Sequence, residues 1–259
     1  DYDSTDPLKL EMGTGVTLVN SGTYWQIYSE KAYDYYHHSV TLGANAKVTN
    51  NYGMALGNRS YAASVGSIAI GTGQGHATTA SGGHAVAIGL ATASGTGSTA
   101  LNKSYASGAD SFAAAIADNT STYGATGANS VAIGMSAKAT GLGAVAIGYG
   151  NTLAQGNVSF ATQRGQATGG GSIAMGHFNT YGFPTASGLS AIVIGDGNTG
   201  SATRSVVLGN DSTSSHIDAI VIGGGATSSA ADQITLGHTD QTVRISSTYT
   251  LPTADGTAN

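Results

Sequence analysis

The sequence predicts an all-β chain wound as a parallel β-solenoid, and three observations carry that expectation. An apolar triplet closed by a small residue recurs fourteen times between Val40 and Gly237, as in Val86-Ala87-Ile88-Gly89, Val131-Ala132-Ile133-Gly134 and Val145-Ala146-Ile147-Gly148. The closing positions are 43, 57, 71, 89, 102, 115, 134, 148, 161, 176, 195, 209, 223 and 237. A repeat of about fourteen residues holds two short strands and two turns but no strand–helix pair, so each repeat is one coil. Composition is the third observation: of 259 residues, 40 are Gly, 9% are charged and none is Cys. Ordinary globular domains do not have that make-up, and the fixed spacing of Val and Ile separates the chain from disordered low-complexity sequence.

Residues 1–38 read as an N-terminal aromatic-rich cap or connector. Leu8, Leu10 and Met12, then Val16, Leu18, Ile27 and Tyr28, predict short strands broken by Gly13, Gly15 and Gly22. Between Tyr24 and Tyr36 stand Tyr24, Trp25, Tyr28, Tyr33, Tyr35 and Tyr36. Two readings of this run compete. The rings cover the open end of the first coil, or they form a carbohydrate platform, since Tyr and Trp join a flat apolar face to a polar edge.

Residues 39–238 carry the β-roll repeats. Side chains alternate along a strand, and the larger residues are expected inside: Val86 and Ile88 point into the coil while Ala87 points out. The trailing Gly turns the corner. A weaker strand of small residues follows, as in Ala44-Asn45-Ala46, Ala91-Thr92-Ala93 and Ala137-Lys138-Ala139. Three degenerate triplets fill the gaps: Thr99-Ala100-Leu101-Asn102, Phe112-Ala113-Ala114-Ala115 and Val158-Ser159-Phe160-Ala161. Two inward side chains per coil bury too little to offset the ordering of a whole coil's backbone. The outward stripe of Ala87, Ala132, Ala146, Val193, Val207 and Val221 is therefore expected to be covered by identical chains.

The intervals 71 to 89, 115 to 134 and 176 to 195 exceed the basic step by four to five residues. They read as loops at about 72–84, 116–129 and 177–190 protruding from an even shaft. With the aromatic run, their His76, His84, Tyr123, Tyr181 and Phe183 are the candidate receptor contacts. Residues 239–259 form a final coil and connector, with Val243-Arg244-Ile245 as an irregular last coil and no repeat from Tyr249 onward.

At Ser130-Val131-Ala132-Ile133-Gly134, then Ala137-Lys138-Ala139-Thr140-Gly141, and again from Ala144 to Gly148, the chain resembles the head repeat of YadA-like trimeric autotransporter adhesins. The resemblance covers about residues 39 to 237 and implies a left-handed parallel β-roll packed into a homotrimer whose three rolls intertwine or lie side by side. At about 4.8 Å per coil, fourteen coils make a shaft roughly 65 Å long. The repeat is also similar to segments of bacteriophage tail fibres, and the segment after Tyr249 resembles a tail-fibre connector. An autotransporter is expected to continue into a neck, a heptad stalk and a barrel anchor. The start at Asp1 without Met fits a processed or trimmed N-terminus.

Charge and motifs bound the remaining functions. Residues 1–38 hold six acids against two bases, and 39–259 hold eight against seven. A shaft so nearly neutral has no electrostatic footprint for nucleic acid. No segment reaches the apolar length of a transmembrane helix, and no secretory signal is read. Gly195-Asp196-Gly197-Asn198-Thr199-Gly200 matches a dinucleotide fingerprint literally, but the next coil follows it instead of a helix. The histidines His37, His38, His76, His84, His177, His216 and His238 show no metal-site spacing. His37, His38 or His84 could gather around an ion only on a trimer axis. No calcium-binding nonapeptide occurs. Five sequons, such as Asn119-Thr120-Ser121, arise freely in so Ser- and Asn-rich a chain.

The expected function is non-enzymatic attachment by an extracellular trimeric fibre, either a phage tail fibre or a bacterial adhesin head. It needs no cofactor, and its partners are its own copies and a cell-surface receptor or glycan. A structural spacer is the alternative. Ice binding is set aside because Thr occupies the middle of a triplet only at Thr41 and Thr235.

Overall fold

A computed structural model describes residues 17–20, 25–28, 39–72, 77–117, 120–180, 182–240 and 242. Strands Thr17–Asn20 and Trp25–Tyr28 pair antiparallel, Thr17 opposite Tyr28 and Asn20 opposite Trp25. From Val40 onward every strand is parallel to its neighbours, and the described residues contain no helix.

The roll has two parallel sheets. One has fourteen strands, from Val40–Leu42 to Ile234–Leu236, and the other twelve, from Lys47–Val48 to Thr213–Ser214. Successive coils stack in register, so that like sits on like. Val131, Ala132 and Ile133 pair with Val145, Ala146 and Ile147, which in turn pair with Phe160, Ala161 and Thr162. Backbone bonds such as Val131 N–H to the Ala144 carbonyl (2.9 Å) and Val145 N–H to the Ser159 carbonyl (2.9 Å) continue the ladders past the strand ends.

The face that points inward is the opposite of the one expected. The middle residues are the interior: Ala87, Ala132 and Ala146 are 0% exposed, and so are Val193, Val207 and Val221. Their large neighbours face out, Ile88 at 41% and Ile147 at 40% exposure. The twelve-stranded sheet answers with Ala80, Ala93, Ala106, Ala139, Ala154, Ala167 and Ala186, all buried. The two sheets press together so closely that only small side chains fit between them. Dense packing of small groups leaves no void, so a narrow Ala interior is a well-filled core. The expected outward stripe of small residues is thus the inside of the roll.

Size complementarity across this interior is visible where it departs from Ala. Val193 replaces Ala in one sheet, and Gly200 replaces it in the other; a Cβ on Gly200 would lie 2.7 Å from Val193 Cγ2. Val48 faces Gly53 in the same way, at 2.5 Å from the position of a Cβ.

One triplet is shifted from its expected register. The strand is Phe160–Thr162, with Ala161 buried in the middle position and Gln163 at the corner. Val158, expected to point inward, is instead a left-handed corner residue (φ 56°) and 70% exposed. It stands two residues before its strand, as Asn129, Ser190, Arg204, Asp218 and Asp232 do before theirs, all with positive φ.

The three long repeats place their extra residues at a single corner, between a triplet and the following short strand. Residues 78–84, 124–129 and 185–190 are regular strand and turn, so the protrusions are shorter than expected. Ile116, in the second of them, turns inward to 0% exposure and its N–H donates to Ser104 Oγ. The expected final coil at Val243-Arg244-Ile245 lies outside the described residues.

Candidate functional site

Of the eleven expected contact residues, five fall among the described residues: Trp25, Tyr28, His84, Tyr123 and Phe183. Tyr24, Tyr33, Tyr35, Tyr36, His76 and Tyr181 lie outside the described residues, as do His37 and His38. Trp25 and Tyr28 end a strand of the N-terminal hairpin. His84 is exposed at a regular corner (φ 57°), not on a protrusion, and its ring covers Gly66. Tyr123 is half-buried against the Ala core. Among the described residues no three His, Cys, Asp or Glu side chains gather as a metal site. Residues 195–200 form a corner running into the strand Thr199–Gly200, and the buried Asn198 Nδ2 there donates to the carbonyls of Ile194 and Gly209, both at 2.8 Å. That amide holds two coils together.

Phe183 does belong to a cluster, with partners that the sequence reading passed over. The third long repeat folds back on itself: Asn179 and Gly182 exchange backbone bonds at 3.2 Å, and Phe178 and Phe183 meet across the bend with ring centroids 4.8 Å apart. Neighbouring coils pin this bend. The His177 N–H donates to Asp196 Oδ1 at 2.7 Å, and Asn179 Nδ2 donates to Asp211 Oδ1 at 2.8 Å. Thr185 Oγ1 donates to the Phe183 carbonyl at 3.0 Å.

Against this bend lies Arg164, at the corner after strand Phe160–Thr162. Its guanidinium carbon stands 5.4 Å from the Phe178 ring centroid and 5.9 Å from that of Tyr149. Its Nε donates to the Gly150 carbonyl at 3.1 Å. Tyr149, Arg164 and His177 each stand two residues after their triplet strands, so stacking in register builds one column along the corner. Tyr149 is 61% exposed and Phe178 is 40% exposed. Cation–π geometry of this kind stabilises a guanidinium at the surface without neutralising it.

The repeat itself is matched by the family model described as the YadA head domain repeat (2 copies), at residues 37–60, 49–73, 125–151, 186–212 and 201–226. The matched coils are YadA-like head repeats. The coils between these stretches keep the same strand register; they include Val86–Ile88, a full Val-Ala-Ile copy, beside the divergent triplets Thr99–Leu101, Phe112–Ala114 and Phe160–Thr162. No curated protein matches the chain. Among the described residues no helix is long and apolar enough to cross a membrane.

Proposed function

We propose that this chain is a non-enzymatic attachment module, three copies of which pack into one rod on the outside of a cell or virion. The observation that carries the proposal is the outer face of the fourteen-stranded sheet. First-position side chains (Val131, Val145, Phe160, Ile173, Ile192) and third-position side chains (Ile133, Ile147, Met175, Ile194, Leu208) form two apolar columns running along the roll, the second interrupted by Thr162 between Ile147 and Met175. Nothing in the chain covers them among the described residues, and several stay about 40% exposed. A face of this length and hydrophobicity marks an interface, and a repeated coil presents the same apolar row to each copy. The YadA-like head repeat favours three copies around one axis, in left-handed rolls.

Within such a rod the Val and Ile columns turn inward, and the corners and the twelve-stranded sheet remain outside. Contacts made by one chain are repeated by the others, so weak contacts add through avidity. Both a phage tail fibre and a bacterial adhesin head fit this arrangement. The test is attachment: the purified chain, added in excess, competes with the intact particle or cell for binding to its target surface. A folded assembly that neither binds nor competes makes the module a spacer.

A further inference from the structure

The geometry points to a binding site for a carboxylate-bearing sugar, a sialic-acid or hexuronate unit, at the corner column of Tyr149, Arg164 and Phe178. The inference rests on the attachment reading and gives it a ligand class. Arg164 is the group on which it turns. Among the described residues it forms no ion pair, the one salt bridge being Arg204 with Asp218. Phe178 backs its guanidinium on one side and Tyr149 flanks it on the other, while the Nε bond to Gly150 fixes the direction of the fork. That leaves the two Nη groups to meet a planar carboxylate, the acceptor a guanidinium fork matches best.

Tyr149 supplies the second half of the site. Its ring is 61% exposed, and a Tyr ring offers an apolar face for the C–H side of a pyranose with a hydroxyl at its rim. Gly150 leaves the room: a Cβ there would lie 3.0 Å from Arg164 Nε and 3.1 Å from Nη2. Gln163 (φ 53°) and Arg164 (φ 83°) take the same left-handed corner as Asn102 (φ 50°) and Lys103 (φ 49°) in an earlier coil, which sets Arg164 in line with Tyr149. The bend from His177 to Phe183, pinned to Asp196 and Asp211, holds Phe178 in place before any ligand arrives. Preorganisation of that kind raises affinity by lowering the ordering cost.

The experiment uses the full chain in its native assembly, titrated with sialyllactose, with an oligogalacturonate and with neutral lactose. One of the two acidic sugars is expected to bind at least about tenfold more tightly than lactose, and more weakly as salt rises. Arg164→Gln and Tyr149→Ala each lose about tenfold or more, Tyr149→Phe keeps the affinity, and Arg164→Lys falls between because it keeps the charge without the fork. Circular dichroism and light scattering on each variant establish that fold and assembly are intact. The proposal is overturned if neither acid binds, if lactose binds equally well, or if both variants leave affinity unchanged. It is also overturned if Arg164→Gln alters the oligomeric state, which makes the column a contact between chains. Attachment that persists in Arg164→Gln removes this site and leaves the attachment module standing.

Discussion

Val193 and Gly200 face each other across the interior of the roll, and a Cβ on Gly200 would approach Val193 Cγ2 to 2.7 Å. In the neighbouring coil the same two positions are Ala174 and Ala186, both buried. Across the interior, the larger side chain of one residue is matched by the missing side chain of the other.

Gly200→Ala is expected to destabilise the chain by about 1–3 kcal/mol through overpacking. In the double variant with Val193→Ala, most of that loss returns, because the pair becomes the Ala–Ala arrangement of its neighbour. A double-mutant cycle by thermal or denaturant unfolding measures the coupling. Simple additivity of the two changes contradicts the packing described.

Ala146→Lys and Ile147→Asp separate interior from interface. Ala146 is fully buried inside the coil, so a charge there costs several kcal/mol and is expected to remove β-structure by circular dichroism. Ile147 faces out, so Asp there leaves the coil folded and weakens assembly. If Ile147→Asp unfolds the coil while Ala146→Lys leaves it intact, the two faces are reversed.

Val158 holds a left-handed conformation that a β-branched residue disfavours. Val158→Gly relieves about 1–2 kcal/mol of strain and gives back about 0.5–1 through the freedom of Gly. A net gain of about 0.5–1 kcal/mol is expected, with Val158→Asn gaining as well because Asn tolerates this region. A lower melting temperature for both variants contradicts the reading.

Arg204 Nε and Nη2 donate to Asp218 Oδ1 and Oδ2, each at 2.5 Å. The hydrogen bond from Arg204 is the largest cause holding the Asp218 carboxyl below its ordinary value; desolvation opposes it and the Arg204 charge adds to it, and the same hydrogen bond raises Arg204 in turn. A carboxyl depressed in the folded state contributes stability above its unfolded pKa and loses it as pH falls through the folded one. Asp218→Asn is therefore expected to flatten the acid limb of stability below about pH 4 and to leave the basic side unchanged. The effect is small, since the pair is exposed, and high salt shrinks it further. A larger effect above neutral pH than in acid contradicts the assignment.

Period, strand positions and the absence of helix were legible in the sequence because a coil of about fourteen residues admits few alternatives. The inward face was not. Alternation shows that Val145 and Ile147 share one side and Ala146 the other, and size alone argues for the larger pair inside. The deciding signal is the residue before the triplet, which shares the face of the middle one: Ser130, Ser159 and Ser172, or Ala85 and Ala144, all buried and all small. With Ala also inward in the second sheet, the sheets lie too close for Ile, and Val193 is accommodated by the missing side chain of Gly200. The same signal corrects the register at Val158, since Ser159-Phe160-Ala161 aligns with Ser130-Val131-Ala132. That slip also hid the corner column: only with the strand at Phe160–Thr162 does Arg164 take the position of Tyr149 in the coil before it. Phe183 was legible as part of an insertion, whereas Tyr149 and Arg164 sit on coils of near-ordinary length and become neighbours through stacking alone.

The most direct test of the central claim, that the Val and Ile columns are covered by other copies of the chain, is the mass of the intact protein in solution. Light scattering on the purified chain is expected to give three times the 25.5 kDa of one chain, falling toward a single chain in Ile147→Asp with β-structure retained. A stable, folded particle of one chain's mass at micromolar concentration contradicts the account.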